Sequence, residues 1–272
     1  MTTASFRDRY GPWALITGAS SGIGEALARD VAGRGLSVVL VARRAARLEE
    51  LATALRAKCG VEALVVELDL GRDDAPSALV TAVGKRDIGL VCANAGFGEK
   101  GPFSDHDFDV YRRMIRLNCE STVALAHAFV PKLVARGRGG LMIVASTAAF
   151  QGTPWTSTYA ATKAFDLVFA EGLHEELREH GVDVVALCPG STDTEGPKRT
   201  GVDPTRVPFG MATAESVARA GLAGLGKTCV VVPRAIDRIA SFATRLVPRR
   251  FASRLAGKAI RGVVGKPPVP RS

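Results

Sequence analysis

Short runs of continuous hydrophobicity alternate along this chain with longer stretches in which apolar residues recur every three or four positions. The short runs are Trp13–Thr17, Ser37–Ala42, Ala63–Glu67, Ile88–Cys92, Leu141–Ala145, Val182–Cys188 and Cys229–Val232. They are rich in Val, Ile and Leu and lack an apolar/polar alternation, which suits parallel strands covered on both faces. The intervening periodicity predicts helices at about Gly22–Arg34, Ala45–Lys58, Ala75–Gly84, Asp107–Arg136, Thr158–His180 and Thr213–Leu225. Seven strands alternating with helices imply right-handed crossovers and an α/β fold with one doubly wound parallel sheet. A ligand crevice then belongs at the carboxyl ends of the strands, where Gly18, Asn94, Ser146 and Pro189 all fall.

Two stretches break the alternation. From Ser191 the chain carries Gly196, Pro197, Gly201, Pro204 and Pro208 with little periodicity, and a substrate lid is expected at about 191–212. Beyond residue 234, apolar positions recur at helical spacing on both sides of Pro248 while arginines fill most of the rest, predicting two basic amphipathic helices. The division expected is a catalytic unit over 1–234 and a basic extension over 235–272.

Composition sharpens this picture only in places. The net charge is +9. Eleven Lys/Arg and a single acid, Asp237, lie between Lys227 and Ser272, whereas the first 226 residues carry 25 basic and 26 acidic groups. A nearly neutral body with a basic tail does not suit a diffuse nucleic-acid surface. Five cysteines without a C-x2-C pair, and four scattered histidines read as surface or packing residues, offer no metal site. No run approaches the ~20 apolar residues of a membrane-spanning helix, and Met1–Arg9 lacks a signal peptide's apolar stretch. A cytoplasmic protein with reduced thiols is expected.

The chemistry lies in two motifs. The strand ending at Thr17 runs into Gly18-Ala19-Ser20-Ser21-Gly22-Ile23-Gly24 and then into a helix, the arrangement that aims backbone N–H groups at a pyrophosphate. No Gly-Lys-Ser/Thr follows, which excludes a nucleotide-triphosphatase loop. Far along the chain, Tyr159 and Lys163 stand four apart on one helix and so project from the same face. A phenol holds its proton too tightly for efficient transfer at neutrality, and an ammonium one turn away favours the phenolate. Ser146, at a strand end thirteen residues earlier, can donate to a developing oxyanion. Together they form a site for exchanging a proton with a carbonyl oxygen.

Thr17, Gly18, Ser20, Ser21, Gly22, Ile23, Gly24, Asp69, Asn94, Ala95, Gly96, Asn118, Ser146, Tyr159, Lys163, Pro189, Gly190 and Thr194 stand in the order and spacing of one family. Over roughly residues 10–195 the chain resembles the short-chain dehydrogenases/reductases, which implies a Rossmann-type sheet and a nicotinamide dinucleotide. The resemblance implies that Tyr159 is general acid in reduction and general base in oxidation. It further implies that Lys163 holds the nicotinamide ribose, Ser146 binds the substrate oxygen, and Asn118 anchors a water that relays protons. Asp69 would read the adenine, Asn94 would line the adenosine side, and Thr194 would hold the carboxamide. One departure is Ala93, where the family usually has a first asparagine. The second strand ends in Val41-Ala42-Arg43-Arg44 with no acid, so Arg43 is expected to bind a 2′-phosphate and select NADP(H). For Arg44, a solvated helix-opening residue is an equal reading.

Tyr10-Gly11-Pro12-Trp13, Phe97-Gly98 and the basic C-terminus look like the branch containing long-chain 3-oxoacyl and 17β-hydroxysteroid reductases and bacterial lipid-ketone reductases. An apolar carbonyl or alcohol is the expected substrate, with a small ketone or sugar left open. A homo-oligomer, dimer or tetramer, is implied. The basic helices either dock on an anionic membrane or pack on the enzyme's own body or a second subunit. A non-catalytic dinucleotide sensor or a membrane-surface module on the same fold remains the alternative.

Overall fold

The computed structural model describes residues 5–207 and 209–264. Met1–Ala4, Pro208 of the lid and the last eight residues of the extension, including Lys266 and Arg271, lie outside the described residues. Seven strands form one wholly parallel sheet. They are β1 (Trp13–Thr17), β2 (Ser37–Ala42), β3 (Ala63–Glu67), β4 (Ile88–Ala93), β5 (Gly139–Val144), β6 (Val182–Leu187) and β9 (Val230–Val231), ordered β3-β2-β1-β4-β5-β6-β9. A further pair, β7 (Thr192–Asp193) with β8 (Ala212–Thr213), ties the two ends of the lid together.

Alternate residues of each strand serve opposite cores, which is why the strands read as unbroken apolar runs. Ala14, Ile16, Val38, Leu40, Leu90 and Met142 share one core with α2 (Gly22–Gly33), α3 (Ala45–Cys59) and α9 (Ala214–Gly224). Leu15, Val39, Val91, Leu141, Ile143 and Val184 share the other with α4 (Ala75–Val83), α6 (Ser121–Arg136) and α7 (Ser157–Arg178). A short α1 (Phe6–Tyr10), opened by a reciprocal Ser5–Asp8 capping box, precedes β1. It is anchored on β6, because Arg9 and the Tyr10 hydroxyl both donate to Asp183. The order reverses between β1 and β4, opening the crevice at their carboxyl ends.

The single helix expected over Asp107–Arg136 is instead α5 (Phe108–Ile115), a wide π-helical turn at Arg116–Glu120, and α6. The turn contains Asn118, and such turns commonly accompany functional sites. The strand around Cys229–Val232 shortens to two paired residues because Pro233 follows and offers no N–H. The lid contains α8 (Glu195–Arg199) and a 3-10 turn at Pro204–Arg206. The basic extension forms α10 (Ala235–Ala243) and α11 (Arg249–Val264), on either side of Pro248.

Candidate active site

At the reversal point, Thr17 and Asn94 knit β1 to β4. The Thr17 hydroxyl accepts from the backbone N–H of Asn94 and Ala95 at 2.9 and 3.0 Å, and the Asn94 amide donates to the Thr17 carbonyl at 2.9 Å. Gly18 has φ +65°, and a side chain there would meet the Asn94 amide at 2.8 Å. Gly24 is tighter still, since a Cβ would lie 2.3 Å from the Gly18 carbonyl. The loop therefore folds back on itself with backbone exposed toward the crevice. Ser21 caps α2 without a side-chain hydrogen bond, leaving the helix's first N–H groups for another acceptor. Ile23 packs half-buried on the core, and Thr194 of the lid lies against Gly22.

Arg43 is exposed, with a guanidinium nitrogen 3.9 Å from Asp69, so the two residues assigned to the adenosine end are neighbours. Asp69 also accepts from the Gly71 N–H at 2.9 Å, which fixes its turn. Arg44 is exposed at the start of α3, yet its guanidinium is held by partners. It donates to the Ser20 hydroxyl at 3.0 Å and the Ser20 carbonyl at 3.2 Å, and pairs with Glu195 of α8 at 2.8 Å.

On the other side of the crevice, Ser146 follows β5 by two residues and opens a 3-10 turn at Thr147–Phe150. Its oxygen accepts from the Ala148 N–H at 3.1 Å, so its hydroxyl proton is available for donation. The Thr147 N–H donates to the Pro189 carbonyl, joining this turn to Pro189-Gly190. Tyr159 and Lys163 project from one face of α7. Lys163 is buried and donates to the Val144 carbonyl at 2.7 Å and to Asp166 at 2.9 Å. Burial opposes its charge, but the Asp166 carboxylate, with a contribution from Tyr159, outweighs that and raises its pKa, keeping the ammonium protonated. The third ammonium proton remains for a ligand.

Asn118 is completely buried. Its amide oxygen accepts from the Phe97 N–H at 3.0 Å, while its amide nitrogen donates to the Phe97 carbonyl and the Thr162 hydroxyl, each at 2.9 Å. The side chain is thus spent on holding the Ala95–Phe97 segment. With both amide protons used, a water can be taken only by an oxygen of Asn118, the side-chain oxygen or the backbone carbonyl that also accepts from Thr122. Gly96 permits this arrangement, for a Cβ there would meet the Asn118 amide oxygen at 3.0 Å.

Tyr159 lines a cavity of about 200 Å³ walled by Phe103, Tyr111, Met114, Pro154 and Trp155, with Glu99 and His106 as its charged or titratable members. The Nε2 of His106 is buried without a hydrogen-bond partner. The lid borders this space: Arg199 of α8 stacks over Phe97 and lies 3.5 Å from Glu99. Three features escaped sequence reasoning. Asp166 resembles an ordinary i,i+3 surface acid, Arg44 finds its partners 24 and 151 positions away, and His106 carries no motif.

The family model for short chain dehydrogenase matches residues 12–203. The 7beta-hydroxysteroid dehydrogenase of Clostridium sardiniense is 34% identical over 235 residues, 86% of this chain and 90% of that protein. A very-long-chain 3-oxoacyl-CoA reductase of Anas platyrhynchos is 31% identical over 221 residues, 79% of this chain and 69% of that protein. Among solved structures, one of a 7beta-hydroxysteroid dehydrogenase superposes with a TM-score of 0.87 at 27% identity, covering 93% of this chain and 99% of the other. A short-chain dehydrogenase from Sphingobium yanoikuyae in complex with NADPH gives 0.78 at 34% identity, covering 87% and 95%. With the glycine loop, Ser146, Tyr159 and Lys163 gathered around one crevice, these matches make the chain a member of the short-chain dehydrogenase/reductase family, an oxidoreductase acting on CH–OH groups.

Proposed function

We propose that this enzyme is an NADPH-dependent reductase of an apolar ketone or aldehyde, lipid- or steroid-like, and catalyses the reverse alcohol oxidation under the opposite cofactor ratio. The observation that carries the substrate class is the aromatic and apolar wall of the cavity that Tyr159 lines. Relatives named for hydroxysteroids and very-long-chain 3-oxoacyl groups support it.

The residues present fit a dinucleotide. Gly18 and Gly24 form a cradle that side chains would fill, and the uncapped start of α2 is directed to anionic groups. Thr17, Gly18, Ser20, Ser21, Gly22, Ile23 and Gly24 would cradle the pyrophosphate, and Arg43, which follows β2 where the sequence carries no acid, would take a 2′-phosphate. Arg44 joins this set on its position at Ser20. Asp69 and Asn94-Ala95-Gly96 would flank the adenosine side, and Pro189, Gly190 and Thr194 the nicotinamide side. When bound, NADPH supplies the hydride. The Ser146 hydroxyl holds the substrate oxygen, and Tyr159 gives it a proton as charge develops. Lys163 presents a permanent cation behind Tyr159, stabilising the phenolate left by that transfer. Asn118 keeps the Phe97 segment in register as one wall of the site.

Residues 1–234 are taken as the catalytic unit and 235–272 as an extension. Placement in the cytoplasm is supported by the five cysteines, all of them free thiols. A homo-oligomer is supported by exposed Phe108, Ile115, Phe165 and Val168 on the neighbouring α5 and α7, a face suited to a second copy.

The test is Tyr159→Phe, which keeps the ring and removes only the proton carrier. NADPH binding should persist while kcat falls by about 10²-fold or more across a panel of long-chain 3-oxoacyl thioesters, steroids and short aldehydes. Retention of more than about a tenth of wild-type kcat would sink the assignment. Turnover of short aldehydes alone would sink the apolar substrate class.

A further inference from the structure

Most large apolar side chains of the extension face away from the enzyme. In α10 and the turn after it, Ile239, Phe242 and Leu246 are 65%, 61% and 74% exposed, and in α11 Phe251 and Leu255 are 57% and 71% exposed. Apart from the half-buried Ile236 and Ile260, what meets the body is small. Ser241 and Ala252 are buried, Ser253 lies against Gly152, and Gly257 is pressed so closely on Pro154 that a Cβ would lie 3.0 Å from its ring. This arrangement removes the reading in which the apolar faces of these helices cover the enzyme's own core.

The charges complete the surface. Arg238, Arg245, Arg249, Arg250, Arg254, Lys258 and Arg261 are all exposed, and no acid occurs between Arg238 and Gly262. Asp237 is turned inward against Gly190 and is 3.5 Å from Arg234, and Glu171 of α7 lies 4.0 Å from Arg245 at the margin of this surface. On α11, Arg250, Arg254, Lys258 and Arg261 form a row beside the Phe251–Leu255 row, about 100° around the helix. An apolar stripe flanked by cations is the design of a helix lying in a membrane interface.

We propose that α10 and α11 dock the enzyme on an anionic phospholipid surface. A second copy meeting this face symmetrically would bring the same exposed cations of each chain together, and like charges oppose that association. α11 also braces the cavity, as it packs on Pro154 and carries Arg261 4.6 Å over the ring of Trp155. Docking therefore brings the cavity rim to the lipid, and an apolar carbonyl dissolved in the bilayer enters without crossing water. That consequence rests on the substrate class proposed above, whereas the docking itself does not.

The experiment is co-sedimentation of the full chain with phosphatidylcholine vesicles, with and without phosphatidylglycerol, at low and high salt. The wild type should bind only the anionic vesicles, and less so at high salt. Each Lys or Arg near an anionic leaflet contributes about a fivefold change in partitioning, so Arg249→Gln, Arg250→Gln and Arg254→Gln combined should weaken binding about a hundredfold. Phe242→Ser, Leu246→Ser, Phe251→Ser and Leu255→Ser combined should abolish it with all cations retained. Circular dichroism and turnover of a water-soluble ketone should be unchanged in both variants, separating lost docking from lost folding or lost chemistry. The proposal is overturned if the wild type ignores anionic vesicles at low salt, or binds neutral ones equally. It is also overturned if the serine variant shifts from dimer to monomer in light scattering while vesicle binding stays unchanged, which would make the face a copy–copy interface.

Discussion

Asp166→Asn tests the ion pair behind Tyr159. The side chains of Lys163 and Asp166 are 7% and 1% exposed and 2.9 Å apart, so water screens the pair little. Removing one partner of a buried pair typically costs about 3–5 kcal/mol, because the other charge is left uncompensated. The lower end applies here, since Lys163 keeps its bond to the Val144 carbonyl and Asp166 Oδ1 already lacks a partner. At about 2–4 °C per kcal/mol for a domain of this size, a loss of about 3 kcal/mol lowers Tm by roughly 6–12 °C. The pH dependence has a definite sign. In the wild type Lys163 has a raised pKa, so its contribution is complete below the ordinary lysine value and is lost only as pH rises through the raised one. In Asp166→Asn burial, the largest influence, outweighs the smaller contribution of Tyr159 and depresses that pKa, so the folded variant recovers stability as pH climbs and Lys163 sheds its proton. The gap in Tm should be widest near neutrality and narrow toward about pH 10. Replacing the pair by Lys163→Met with Asp166→Leu should return most of the stability while abolishing turnover. Calorimetric melts of the three proteins decide the matter. A single variant melting within about 2 °C of wild type, or a double variant no more stable than the single, would refute the reasoning.

Other expectations follow from the crevice. Arg43→Ala and Arg44→Ala should each weaken NADPH binding by about tenfold or more and NADH far less, read by fluorescence titration; equal wild-type affinities for the two cofactors would remove the 2′-phosphate reading. His106→Phe keeps a ring but deletes the unpartnered Nε2, so KM should rise for substrates with a distant polar group and stay level for plain hydrocarbon ketones, as measured by steady-state kinetics. Gly24→Ala places a methyl 2.3 Å from the Gly18 carbonyl and should abolish cofactor binding or folding, read by titration and melting together.

The sheet and its helices were legible because each strand is buried on both faces, so hydrophobicity alone marked Leu15, Val39 and Ile143. Tyr159 and Lys163 were legible because a helix turns a four-residue spacing into a shared face. The π turn was not: one extra residue shifts the apolar stripe by about 100°, yet the periodicity on either side of Asn118 is undisturbed. The partners of Arg44 were not legible, because they come from the glycine loop and the lid, and pairing at that distance leaves no local trace. In α10 and α11 the spacing of Phe242, Leu246, Phe251 and Leu255 announced an apolar face without saying what it faces.

The two margins of the sheet bear on how copies of this chain meet. An open strand edge invites another strand, and proteins guard against it. Here β9 offers only two residues before Pro233, which has no N–H to donate. At the opposite margin, Arg56 donates to the Ala63 carbonyl of β3 at 2.6 Å, while charged Glu62 and Glu67 flank that strand. The β9 margin is too short to template an incoming peptide, and the β3 margin is shortened by the Arg56 bond and charged at its end. Association is thereby biased toward helical surfaces, and crowding or mild heating should yield assemblies built from native folds, with no gain of cross-β signal.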